Sequence, residues 1–89
     1  MTIKYFSDIR PLTGVHEEEW HQPHPDILSL LRALGQRHVH LEKRVFEGDQ
    51  LSSTMIILVN GRNIEFLSGV ATPLTPDDVV DLFPVEGGG

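Results

Sequence analysis

The sequence contains no cysteine. That removes disulfides, thiolate nucleophiles, CxxC redox chemistry and iron–sulfur ligation by the chain itself. It suits a reducing cytoplasm. Long hydrophobic runs are also missing. The longest, Met55 to Val59, falls far short of the ~20 apolar residues that span a bilayer. The opening stretch "MTIKYFSDIR" carries charge where a signal peptide needs an apolar segment. The reading is a soluble, cytoplasmic protein with no membrane partner. Basic residues are scarce: 7 Lys+Arg stand against 13 Asp+Glu, a formal net charge of −6. Without a basic stripe, nucleic acid is not an expected partner. A basic protein surface suits the charge better. Neither G-x-x-x-x-G-K-[ST] nor G-x-S-x-G occurs. No nucleophile stands beside a base, so the chain is not expected to be an enzyme alone.

What is present suffices for one small core. The chain has 89 residues, 39% of them hydrophobic. "TIKYFS", residues 2–7, reads as a strand, with Ile3 and Tyr5 alternating against Lys4 and Phe6. Pro11 and Gly14 mark a loop or single turn. "VHEEEW", residues 15–20, is polar except at its ends and reads as an exposed or edge strand. "HPDILSLLRALGQ" is the helix. Ile27, Leu30, Leu31 and Leu34 recur at i, i+3, i+4, i+7 and share one face. Pro25 suits the first helical position, and Asp26 suits the positive end of the helix dipole. The helix stops at Gly35 or runs on to His38. Residues 36–54 are charged and carry little periodicity; Leu41, Val45 and Phe46 suggest a short second helical turn.

"TMIILVNGRNIEF" reads as a hairpin. Met55 to Val59 is its buried central strand, Asn60-Gly61 its positive-φ turn, and Ile64 and Phe66 the apolar positions of its return. "SGVATPLTPDD" is a loop, and "VVDLF" the last strand. Tyr5, Leu30, Leu31, Leu34, Ile57 and Val59 are assigned to the core. The order predicts an α+β fold in one domain, a single sheet with one helix packed on its face.

His21-x-x-His24 and His38-x-His40 have usable metal-ligand spacing. However, the first pair lies in a Pro-flanked loop and no Cys completes a tetrahedral site. Solvated histidines and no metal are expected. Glu17, Glu18 and Glu19 are adjacent on a strand and point to alternate faces, so they read as a solvated strand.

The remaining feature is "VVDLFPVEGGG". A strand runs through Phe83 and Pro84 into Val85, Glu86, Gly87, Gly88 and Gly89. Glycines without Cβ atoms can thread a narrow channel in extended form. Residues 85–89 reach roughly 17 Å at ~3.3–3.6 Å per residue. A carboxylate on the last glycine is sterically open but a poor electrophile. ATP could convert it to an acyl-adenylate, from which a nucleophile displaces AMP. If that nucleophile delivers sulfur, the product is a terminal thiocarboxylate, and a protein without cysteine carries sulfur on its main chain.

Three stretches carry a resemblance. "IKYFSDIRPLTG", "VNGRNIEFLSGVATPLTPDDVVDLFP" and the closing "GG" make the whole chain similar to the MoaD/ThiS sulfur-carrier family, which includes the small subunit of molybdopterin synthase. The resemblance implies a ubiquitin-like β-grasp fold: a mixed sheet of four to five strands on one main helix. The implied division is a domain at 1–84 and a flexible, extended tail at 85–89. It also implies that Gly89 is adenylated and thiocarboxylated by an activating enzyme that uses ATP, with no permanently bound cofactor. Phe83, Pro84, Val85, Glu86, Gly87 and Gly88 then meet the partner, either that enzyme or a sulfur acceptor such as the large molybdopterin synthase subunit. Phe83 is read equally as an aiming residue or as core. Glu86 stands where an apolar residue is common in the family, and asks for a Lys or Arg in the partner's channel. The family also serves tungsten cofactors, thiamine, cysteine and tRNA thiolation, and includes lysine-linked protein modifiers. A plain binding module with an inert tail is the remaining alternative.

Overall fold

The computed structural model describes residues 1–85. The elements run β1 (Thr2–Tyr5), α1 (Arg10–Thr13), β2 (Glu17–Glu19), α2 (Ile27–Arg37), α3 (Val39–Val45), β3 (Phe46–Glu47), β4 (Gln50–Leu51), β5 (Met55–Val59), β6 (Arg62–Asn63) and β7 (Val79–Pro84). Five of the strands form one sheet in the order β2-β1-β7-β5-β6. β1 and β7 pair in parallel, and the other neighbours are antiparallel. The expected α+β sheet-on-helix architecture is therefore present, with the last strand in the middle of the sheet.

Period-two alternation decides which side chains meet the helix. Ile3 and Tyr5 of β1, Ile57 and Val59 of β5, and Val80 and Leu82 of β7 are buried. They share one core with Ile27, Leu30, Leu31 and Leu34 of α2, as the helical spacing predicts. Each such side chain contributes about 1.5–3 kcal/mol on burial.

Helix α2 starts two residues later than the sequence suggests, at Ile27. Asp26 is extended and caps it, accepting from the Ser29 amide at 2.9 Å. Pro25 therefore precedes the cap instead of opening the helix; the carboxylate's bond to an otherwise orphan amide decides the boundary. At the other end the helix runs past Gly35 to Arg37. A Cβ on Gly35 would sit 3.0 Å from the Glu42 Cβ, so its bare backbone lets α3 approach α2 closely. The faint signal at Leu41 and Val45 becomes a seven-residue helix that buries both. A two-stranded hairpin follows, its turn passing through Gly48 at φ +64°.

The turn after β5 is as read: Asn60 and Gly61 take φ of 51° and 83°, and Val59 pairs with Arg62. The return strand is shorter than expected. β6 ends at Asn63, whose side chain accepts from the Glu65 amide at 2.9 Å and opens a 3-10 turn over Ile64–Phe66. Ile64 is buried, whereas Phe66 is 83% exposed.

Candidate functional site

β7 sits between β1 and β5, with Leu82 in register with Tyr5 on one side and Ile57 on the other. The chain is thus led out from the centre of the sheet. The tail-side end is asymmetric. The last bond toward β1 is Phe6 N–H to the Leu82 carbonyl, whereas toward β5 the pairing continues to Val85 N–H donating to the Thr54 carbonyl at 2.8 Å. By this alternation the residue 84 position turns toward β1, which has already left the sheet. Pro84, with no N–H, costs no ladder bond there. It is buried opposite Met55 and fixes the backbone direction just before Val85, which is 42% exposed.

Phe83 points to the face away from the helix. Of its two sequence readings, core or aiming, the core one is excluded: it is half-buried on the open face, stacked on Phe6 with ring centroids 4.2 Å apart and planes 9° apart. Arg10 lies over the Phe6 ring. Its guanidinium carbon lies 5.7 Å from the Phe6 centroid, and its Nε donates to the Tyr5 carbonyl at 2.9 Å. Across β7 stand Ile56, opposite Phe83, and Leu58, opposite Asp81. All are half-buried. Sequence reading missed Phe6, Arg10, Ile56, Leu58 and Asp81 as a group. For all but Arg10, the available signal was their phase, one residue out of step with the core positions Tyr5, Ile57 and Leu82.

Beside the exit of the chain, Leu51, Met55, Ile56, Ile64, Val70 and Val85 line a groove of about 540 Å³. Of the predicted partner-binding residues, Val85 lines this groove, Phe83 lies on the open face and Pro84 is buried on the helix side. Glu86, Gly87, Gly88 and the predicted reactive Gly89 lie outside the described residues.

Two aspartates on and before β7 differ in setting. Burial raises the Asp81 pKa above its ordinary value, and Lys4 offsets this only in part. For Asp78, burial pushes up too, but hydrogen bonds from the Asn60 amide and from the Thr75 amide and hydroxyl outweigh it and hold the pKa low.

The expectation of solvated Glu and His residues needs correction in three places. Glu18 turns inward on edge strand β2 and accepts from the Tyr5 hydroxyl at 2.6 Å. It also pairs with His38 Nε2 at 2.7 Å and with Arg37 Nε at 3.5 Å. Burial first, and then the Glu18 carboxylate, push the Tyr5 phenol pKa up. His24 bonds Ser29 Oγ at 2.8 Å. His38 and His24 are therefore structural, tying β2 and the pre-helix loop to α2. Among the described residues no group of three His, Cys, Asp or Glu could hold a metal. Nor is any helix among them long and apolar enough to cross a membrane.

A mixed five-stranded sheet closed over one main helix, with a central last strand leading out, is the ubiquitin-like β-grasp arrangement, as the resemblance implied. The solution structure of small archaeal modifier protein 1 from Methanosarcina acetivorans superposes with a TM-score of 0.87 at 28% identity, covering 99% of this chain and 94% of that one. The profile of the ThiS family matches residues 3–89, and the chain belongs to that family of ubiquitin-like sulfur carriers and modifiers. It is 28% identical over 90 residues to small archaeal modifier protein 3 of Haloferax volcanii, spanning 100% of this chain and 98% of that relative. It is 30% identical to a Pyrococcus furiosus chain assigned as molybdopterin converting factor subunit 1, with a TM-score of 0.73 and 93% of each chain covered.

Proposed function

We propose that this protein is a sulfur carrier for molybdopterin-type cofactor biosynthesis, loaded at the carboxylate of Gly89. It is the small, non-catalytic partner of an adenylating enzyme and then of a sulfur acceptor such as the large molybdopterin synthase subunit. The observation that carries this reading is the position of β7. The central strand, paired on both sides through Leu82, leads directly to Val85 and the glycines. The family match through residue 89 supports it.

The chemistry follows from the arm. A Gly89 carboxylate oxygen attacks the α-phosphate of ATP in the activating enzyme, and pyrophosphate leaves. A sulfide sulfur then attacks the carbonyl carbon of the acyl-adenylate, the bond to AMP breaks, and a thiocarboxylate remains. Gly87 and Gly88 are the slim lead-in, and residues 1–84 are the body that aims it. Phe83, Pro84 and Val85 anchor that body, and the apolar open face with the adjoining groove supplies the docking surface. Apolar anchors of this kind dominate affinity at small interfaces.

A second reading keeps the activation and changes the nucleophile: a lysine amine displaces AMP and Gly89 forms an isopeptide. The full-length likeness to relatives named as modifiers favours it. The test of the shared first step is ATP-dependent AMP formation with the cognate adenylating enzyme. Deleting Gly89, or adding one alanine after it, is expected to abolish AMP formation while leaving the fold intact. Unchanged AMP formation in both variants overturns the proposal. A sulfur-loaded product separates the carrier reading from the modifier reading, which instead gives a ladder of larger covalent species.

A further inference from the structure

The open face carries one group that its own neighbours leave unsatisfied. Asp81 lies midway along β7, in register with Lys4 of β1 on one side and Leu58 of β5 on the other. Its Oδ1 is enclosed, with no hydrogen-bond partner among the described residues. Lys4 is beside it in register, yet no ion pair within 4.0 Å joins the two. Its neighbours on the face are otherwise apolar: Leu58 directly across, and Phe83 two residues along the same strand. A β-branched or aromatic residue would suit a central strand better. Burial disfavours the charge of a carboxyl at this position, and Lys4 offsets that only in part.

We infer that Asp81 is the polar anchor of the docking face, and that the adenylating enzyme presents an arginine to it from within an apolar patch. This rests on the reading that the open face is the docking surface. Docking there removes the remaining water from the carboxylate. An ionised carboxylate enclosed without a partner is costly, so the opposing surface must supply a cation. A guanidinium fits better than an ammonium. It is planar, weakly hydrated and able to lie on aromatic rings while pairing with a carboxylate. The same face already accommodates one such group, Arg10 over Phe6. The aspartate χ2 torsion is broad and roughly two-fold, so the enclosed oxygen can exchange with its partner as the pair forms. The chain's net charge of −6 draws a cationic surface toward it.

The experiment titrates the full chain against the purified adenylating enzyme of the same organism, without ATP. The variants are Asp81→Asn, Asp81→Leu and Phe83→Ala. Asp81→Asn keeps an acceptor and removes the charge, and is expected to weaken docking about tenfold or more. Asp81→Leu strands the arginine altogether and is expected to weaken it further. Thermal melts of both variants should be no lower than that of the wild type, so lost docking is not lost folding. Wild-type affinity in Asp81→Asn with a loss in Asp81→Leu would mean a neutral donor and overturn the arginine. Tighter docking of Asp81→Leu would mean an apolar opposing surface and overturn it as well. A loss in Phe83→Ala with none in Asp81→Asn defeats this inference alone. No loss in Phe83→Ala defeats the docking face itself, and the inference with it.

Discussion

On the helix side of the sheet, Ile3, Tyr5, Ile57, Val80 and Leu82 are at most 1% exposed. One step along the same strands, Phe6, Ile56, Leu58, Asp81 and Phe83 are half-buried on the other side. Both sets are rich in large apolar side chains, yet only the first has a helix against it. The difference separates two demands on one strand. Even-numbered positions of β7 hold the fold, whereas odd-numbered positions are only half-buried, and on the proposed function they are the ones that meet a partner. A substitution in one set is therefore expected to read out in stability, and in the other set in docking.

The largest effect should come from the buried set. Leu82→Ala removes a fully enclosed side chain between the sheet and α2, and is expected to cost ~2–5 kcal/mol in denaturant unfolding. At temperatures where it remains folded, its docking to the activating enzyme should be close to that of the wild type. Its neighbour Phe83→Ala should show the reverse. It loses half-buried area and a ring stack worth about 0.5–1.5 kcal/mol, a smaller stability loss, but clearly weaker docking. If Leu82→Ala and Phe83→Ala lose stability and docking in the same proportion, the division between the faces is wrong.

A finer contrast lies between the two aspartates. Asp78 has its folded-state pKa lowered from 3.8, so it contributes stability above that value and loses it as the pH falls through the lowered folded value. Asp81 has its folded-state pKa raised from 3.8, so its contribution is present in acid and is lost as the pH rises through the raised folded value. At neutral pH Asp78→Asn should therefore destabilise the protein and Asp81→Asn should stabilise it, both modestly. The gain from Asp81→Asn should shrink first as the solution is acidified toward pH 4, and the loss from Asp78→Asn only below that. Melting curves across this range test the two signs. A stabilising Asp78→Asn or a destabilising Asp81→Asn at neutral pH would contradict the assigned environments.

The sequence carried the parts of this picture that depend on period and local chemistry. Leu30, Leu31 and Leu34 announce one helical face, Asn60-Gly61 announces its turn, and Tyr5, Ile57 and Val59 take the core positions assigned to them. Residues 36–54 were not legible, because α3 is only seven residues long and its burial depends on Gly35 admitting it to α2. Glu18 was read as solvated because its partners, Tyr5 and His38, come from elements that only the folded sheet brings together. The candidate site was half visible. Phe83 and Pro84 could be singled out beside the glycines, but the stacked Phe6, just after β1, and the opposed Ile56, on β5, lie 77 and 27 positions earlier along the chain than Phe83, so only the folded sheet assembles them.

On the proposed function, the chemistry falls to neither face but to Gly89. Top-down fragmentation of the intact protein, after incubation with ATP, its activating enzyme and a sulfur donor, addresses this most directly. The account predicts one oxygen exchanged for sulfur, in the fragment containing Gly89 and in no other. Sulfur found on an internal residue, or a Gly89 that stays an ordinary carboxylate while the protein still supports sulfur transfer, would contradict it.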